Sequence, residues 1–220
     1  MTKPILGYWD IRGIAEPIRF LLHYKQIDFV DKRYAFGTDD WQNDKLALGL
    51  DFPNLPYFID GDVKLTQSIT IMRYLAEKYG MDGKDDQQKL HLHMAEQTIL
   101  DLRLSLFLIL GRNDFEYAKE EFFKNIPVQL KLWDRYLGGN KFLNGEDVTY
   151  VDFIANETID FYRLLYGNIL EDFPTLQVYQ NRIKNLPELQ DYLNSPSYKR
   201  WPLFHPMAKF GGGGKEPDHA

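Results

Sequence analysis

Cysteine is absent from this chain. There is therefore no disulfide framework, no thiolate metal site and no protein thiol to act as a nucleophile. Any sulfur chemistry must use a sulfur that a ligand brings. No apolar stretch approaches the length of a membrane span, so no membrane partner is expected. No basic region followed by an apolar run stands near the start, so no signal peptide is read and a cytoplasmic location is expected. Lys and Arg do not cluster, and the formal net charge is −6. That balance argues against a nucleic-acid partner. His91 and His93, two apart on a helix, diverge around its axis and make a poor metal pair, so no metal is expected. Gly211 to Lys215 lacks the spaced first glycine, the Ser/Thr after Lys and the preceding strand of a phosphate loop. Asn156-Glu157-Thr158 matches a glycosylation sequon, but without secretion it should stay unmodified.

What is present is an ordinary globular composition over 220 residues, enough for one large domain or two small ones. The first third alternates strand-like and helix-like runs. Ile5 to Tyr8 reads as a strand, and Pro17 opens a helix, where a proline is tolerated in the first turn. Phe29 to Tyr34 reads as a second strand. Tyr57-Phe58-Ile59 and Val63-Lys64-Leu65 flank Asp60-Gly61-Asp62, a hairpin signal. Ser68 stands at the next helix start, with Ile71, Met72 and Leu75 on its apolar face. This order predicts a small α/β layer with a mixed sheet. From Met81 to Gln88 the chain turns polar and reads as a linker. Beyond it, Leu90–Leu110, Glu116–Leu137, Tyr150–Leu165, Pro174–Asn185 and Pro187–Leu193 all read as helices. Thr149 and Asp152 resemble a capping box with Asp in place of Glu.

The residue that says most about chemistry is Tyr8. A tyrosine leaving a buried strand points its hydroxyl at whatever binds the strand end, and donates to an anion without ionising. Holding a thiolate requires that chemistry. Leu55-Pro56 precedes a strand; a cis bond there would turn Leu55 toward an extended peptide ligand. Gln67-Ser68 opens a helix whose N-terminal N–H groups and dipole bind anions. Trp41 and Lys45 lie four apart, hence on one face if that segment is helical. Phe52 is a large apolar side chain in a loop, a feature of contact surfaces. Taken singly, each has an ordinary role open to it: Tyr8 in the core, Pro56 trans, Ser68 as a helix cap, Lys45 and Asp101 solvated.

Three runs in order, Gly7-Tyr8-Trp9-Asp10-Ile11-Arg12-Gly13, Asp51-Phe52-Pro53-Asn54-Leu55-Pro56 and Thr66-Gln67-Ser68, resemble the mu class of cytosolic glutathione transferases. The resemblance covers nearly the whole chain. It implies an α/β thioredoxin-like N-terminal domain plus an all-α C-terminal domain. The boundaries expected are 1–82 for the glutathione-binding domain, 89–210 for the helical domain and 211–220 for a flexible tail. It implies a homodimer that transfers the sulfur of glutathione, a co-substrate, to small hydrophobic electrophiles, with no permanently bound cofactor.

The resemblance also implies roles for residues. Tyr8 donates its hydroxyl to the glutathione sulfur. Trp9, Trp41 and Lys45 surround the glycyl end, Lys45 pairing with its carboxylate. Asn54, Leu55 and a cis Pro56 take the peptide, and Gln67 and Ser68 hold the γ-glutamyl carboxylate. Asp101 reaches across the dimer to the α-amino group of the partner's glutathione. Phe52 is a key entering the partner's helical domain, and Arg73 lies near the two-fold axis. Ile11, Ile14, Leu104, Phe107, Leu108, Phe204 and Met207 wall the second-substrate site. Two departures stand out. The segment between Tyr34 and Trp41 is short, as in invertebrate and parasitic-worm members, and Gly111 stands where many members carry a second tyrosine. A non-catalytic carrier of glutathione and hydrophobic ligands, or a glutathione-dependent isomerase, is the alternative on the same fold.

Overall fold

A computed structural model describes residues 2–219. The first elements are β1 (Ile5–Trp9), α1 (Glu16–Tyr24), β2 (Val30–Tyr34), the short α2 (Asp40–Asp44), β3 (Tyr57–Asp60), β4 (Val63–Thr66) and α3 (Ser68–Tyr79). The strands form one sheet in the order β2-β1-β3-β4. β1 and β2 are parallel, whereas β1–β3 and β3–β4 are antiparallel. The parallel pair needs the α1 crossover, and the antiparallel β3–β4 pair needs only the Gly61-Asp62 turn. β1 buries Leu6, Gly7 and Tyr8 in succession, as a central strand covered on both faces must. Gly7 is required there: a Cβ on it would lie 2.1 Å from the Tyr57 ring.

The register sets the site. Gly7 faces Tyr57, and Tyr57 faces Thr66. One residue further, Tyr8, Pro56 and Gln67 emerge together at one end of the sheet.

The helices that follow are α4 (Asp86–Leu110), α5 (Phe115–Phe123), α6 (Ile126–Leu137), α7 (Tyr150–Tyr166), α8 (Pro174–Lys184) and α9 (Gln190–Leu193). The fold is the expected one, a thioredoxin-like α/β layer joined to an all-helical part. The span Glu116–Leu137, read as one helix, is two. Pro127 has no N–H to give to Phe123 and its ring would clash with that turn, so α5 stops and α6 restarts with proline in its first turn. At the expected linker, Gly80 ends α3 in the left-handed conformation, and the Asp85 carboxylate caps α4 by accepting from the Gln88 N–H at 2.8 Å.

α7 is the central helix, buried without interruption from Tyr150 to Tyr162. The expected capping box starts it: Asp152 accepts from the Thr149 N–H at 2.8 Å and the Thr149 hydroxyl at 2.7 Å. α1 packs on α7 through Phe20 and Tyr24, both edge-on to Phe153 at 6.0 and 5.6 Å. Charge is buried at the same junction. Arg12 gives two hydrogen bonds to Glu157, at 2.8 and 2.6 Å, and one to Asp160 at 2.7 Å. The loop that follows β1 is thereby tied to α7.

Of the segment 211–220, expected to be a flexible tail, residues 211–219 are described and make contacts in the structure. The Gly211 carbonyl accepts from the N–H groups of Leu203 and Phe204, at 2.8 and 2.9 Å. The Trp201 indole N–H donates to the Gly213 carbonyl at 3.1 Å. Arg163 donates to the His219 carbonyl at 3.1 Å. Composition reads as flexible because glycine is permissive, but that permissiveness also admits the close approach seen here: a Cβ on Gly212 would lie 2.6 Å from the His205 carbonyl.

Candidate functional site

Two apolar clusters divide the described residues. The larger spans the sheet, α1, α3 and the helices. The smaller gathers Tyr8, Ile11, Trp41, Leu55 and Tyr57, with Trp9, Ile14 and Phe36 packed against it. It therefore unites residues from four separate stretches that the sequence singled out.

Tyr8 is 7% exposed, and its hydroxyl accepts from the Ile14 N–H at 3.4 Å. Burial raises its pKa above the ordinary tyrosine value, opposed by that hydrogen bond and by the charges of Arg19 and Arg103. The hydroxyl is thus protonated at neutral pH and is a donor. Arg103 is itself 7% exposed, and burial lowers its pKa to about 10, with Tyr8 and two buried glutamates opposing. It is charged at neutral pH. Sequence reading did not single it out, because an arginine on a helix reads as solvated.

A cavity of about 300 Å³ opens beside Tyr8. Trp9, Ile11 and Ile14 line one side, and Phe107 and Phe204 line the other, edge to face at 5.4 Å. Four of these, Ile11, Ile14, Phe107 and Phe204, are wall residues expected; Trp9 was expected at the glycyl end of glutathione. Leu104, Leu108 and Met207 are instead 55, 67 and 78% exposed and do not line it. Gly111 does not either, and no heavy atom lies within 4 Å of a Cβ built on it. For Leu104 and Leu108 the reason is helical phase. Phe107 and Leu110, three apart, turn inward, whereas Leu104 and Leu108 share their outward face with Asp101. Gly13, Leu110, His205 and Ala208 complete the lining; the apolar pattern gave no sign of His205.

The Leu55–Pro56 bond is cis. The Leu55 N–H donates to the Asn54 side chain at 2.9 Å. Gln67, not Ser68, is the N-cap of α3; Ser68 is the first helical residue. Gln67 stands at φ 71°, in the left-handed region where a non-glycine residue costs about 1–3 kcal/mol. No side chain caps the helix, so its first N–H groups are open beside Pro56.

Trp41, on α2, is 8% exposed and stacked on Tyr57 at 6.1 Å. Lys45 is the residue after that helix and is half-buried. Among the described residues its ammonium has no hydrogen-bond or ion-pair partner, unlike Lys32, which pairs with Asp44. Trp9 stacks on Phe36 at 4.5 Å.

Three expected residues lie outside this cluster. Phe52 is 77% exposed. Asp101 is exposed on α4. Arg73 gives two hydrogen bonds to the buried Glu96, at 2.8 and 2.6 Å. Among the described residues, no group of three or more His, Cys, Asp or Glu is placed to hold a metal ion.

Comparison with known proteins decides the family. Residues 4–77 match the model of the glutathione S-transferase N-terminal domain, and residues 100–196 that of the C-terminal domain. The chain is 41% identical to the class-mu 26 kDa isozyme 51 of Fasciola hepatica, covering 96% of this chain and 98% of that one. The chain belongs to the mu class of the glutathione S-transferase family. Glutathione S-transferase Mu 1 of Mus musculus is also 41% identical, over 93% of this chain and 96% of its own length. Among solved structures, glutathione S-transferase Blo t 8 superimposes with a TM-score of 0.89 at 34% identity, covering 94% of this chain and 99% of its own. A pi-class transferase of Onchocerca volvulus does so at 0.78 and 31% identity, covering 87% and 92%.

Proposed function

We propose that this member of the transferase family conjugates the thiolate of glutathione to small hydrophobic electrophiles, working as a cytoplasmic homodimer without a resident cofactor. The observation that carries the reading is the neutral, buried Tyr8 hydroxyl at the edge of an apolar cavity, at the end of the sheet where α3 begins.

The energetics fit. A free thiol of pKa about 8.5 is only a few per cent thiolate at neutral pH. Lowering that pKa by about two units takes roughly 2.7 kcal/mol of preferential thiolate stabilisation. A hydrogen bond to a charged group contributes about 1.5–3 kcal/mol. Tyr8 is nearly sufficient alone, and the charged Arg103 acts in the same direction. Glutathione would lie along the sheet end, with its γ-glutamyl carboxylate at Gln67 and Ser68. Its backbone would run at Asn54, Leu55 and Pro56, and its glycyl carboxylate at Lys45, between Trp9 and Trp41. The thiolate then attacks a carbon of an acceptor held in the cavity, and proximity supplies the remaining acceleration.

The dimer reading rests on two complementary surfaces. Phe52 is exposed, and an apolar groove of about 150 Å³ lies between α4 and α6, lined by Met94, Thr98, Leu132, Trp133 and Tyr136. An isologous pair would seat each Phe52 in the partner's groove. The exposed Asp101 would then serve the partner's site, and Arg73, held by Glu96, would lie near the axis.

Turnover with glutathione and a chloronitrobenzene tests the enzyme. Binding of glutathione with no turnover of any electrophile would favour the carrier. Activity confined to a prostaglandin endoperoxide would favour the isomerase.

A further inference from the structure

His205 is the polar side chain of the acceptor cavity that the transferase reading leaves without a task. Tyr8 is given to the sulfur and Trp9 to the glycyl end of glutathione. The other lining side chains are apolar. An acceptor that develops charge on oxygen needs a donor there, and α4 supplies none: Gly111 has no side chain and lies off the cavity.

The ring of His205 is held by its neighbours. Its Nδ1 accepts from the Met207 N–H at 3.1 Å. A nitrogen that accepts carries no proton, so in the neutral ring the proton is on Nε2, which is a donor. Phe36 packs against the ring at 4.7 Å and 77°. The backbone is pinned from behind, because Gly212 passes so close to the His205 carbonyl that no Cβ would fit. Among the described residues Nε2 has no hydrogen-bond partner, and the residue is exposed at the cavity mouth, where an acceptor's oxygen can meet it.

We infer that His205 is a catalytic hydrogen-bond donor, through Nε2–H, to the oxygen of α,β-unsaturated carbonyl acceptors. The inference rests on the transferase reading and names the substrate class that the site favours. The glutathione thiolate forms the new S–C bond at the β-carbon. The alkene π pair becomes the double bond between the α-carbon and the carbonyl carbon, and the carbonyl π pair moves onto oxygen, giving an enolate. Nε2–H stabilises that oxyanion without giving up its proton. The α-carbon then takes a proton from water, replacing the one the thiol released on ionising. No oxidant or reductant is needed.

The test is kcat/KM at saturating glutathione for an enone and for a chloronitrobenzene, in wild type, His205→Phe and His205→Gln. A halonitroarene spreads charge over its ring and depends less on one donor. Losing a donor from a buried oxyanion hole costs about 10²–10³ in rate; at this exposed mouth about tenfold is expected. The enone-to-haloarene ratio should therefore fall about tenfold in His205→Phe, through kcat. It should return to within about threefold in His205→Gln, whose amide N–H stands where Nε2–H does. His205→Ala should repeat the loss and guards against misfolding of the phenylalanine variant. Equal fractional losses on both acceptors, or a glutamine variant as impaired as phenylalanine, would overturn the role. Wild type inert to both acceptors would instead overturn the transferase reading.

Discussion

Gly13 and Tyr8 are in contact so close that a methyl group on Gly13 would stand 2.7 Å from the Tyr8 hydroxyl oxygen. Gly13 also holds φ at +53°, which an L side chain rarely adopts. Gly13→Ala should therefore push the hydroxyl from its place while leaving the rest of the sheet intact. Turnover is expected to fall at least tenfold, about 1.4 kcal/mol, with a loss of about 1–3 kcal/mol in stability from the strained backbone. A variant with wild-type kcat would show that the ring can move without consequence.

Removing the hydroxyl itself separates binding from activation. Tyr8→Phe should keep glutathione affinity within a few-fold, since the tripeptide is held elsewhere, while turnover drops sharply. Thiolate absorbance followed against pH should show the bound thiol's pKa rising toward its free value of about 8.5. An unchanged pKa with full activity would remove Tyr8 from the mechanism.

Phe52 is the expected anchor of the dimer. Deleting a ring that is buried on association costs on the order of 3 kcal/mol. Sedimentation of Phe52→Ala at micromolar concentration should show monomer or a dissociating mixture. Because Asp101 is proposed to serve the partner's site, glutathione binding should weaken with dissociation. A dimer as tight as wild type would rule out the key.

Gly111 sits at the end of α4 with helical backbone angles and open space around it. Gly111→Tyr should fold normally and raise the rate toward epoxides more than toward haloarenes. The gain should be larger when His205 is already phenylalanine, because one donor then replaces another. Equal gains on both acceptors in both backgrounds would show that no hydroxyl is wanted there.

Among the described residues Arg12 is the sole partner of Glu157, whereas Asp160 also binds Arg163 and Lys184. Arg12→Met should strand a buried carboxylate at a cost of about 3–5 kcal/mol. Adding Glu157→Gln should recover part of that in thermal denaturation. No recovery would mean that packing on Phe161 matters more than charge.

Much of this was legible in local pattern. β1, the hairpin and α7 announced themselves through periodicity, turn chemistry and a cap. The break at Pro127 was legible too, but apolar spacing on both sides masked it. Tyr8 and the cis Pro56 came from motifs. Leu104 and Leu108 stand off the cavity wall, because which face of α4 turns inward is set by packing against α7, not by its own apolar residues. Arg12, Arg103 and His205 gained their surroundings from partners dozens of positions away, which no local window contains.

The glycine run at 211–213 holds the loop that carries Phe204 and His205, so the two halves of the site have different birthdays. During synthesis the sheet, Tyr8 and the start of α3 emerge early. The Phe204–His205 side of the acceptor cavity waits for almost the last residues described. A nascent chain thus holds every residue proposed for the tripeptide cradle up to Ser68 long before the side of the cavity that carries Phe204 and His205 exists.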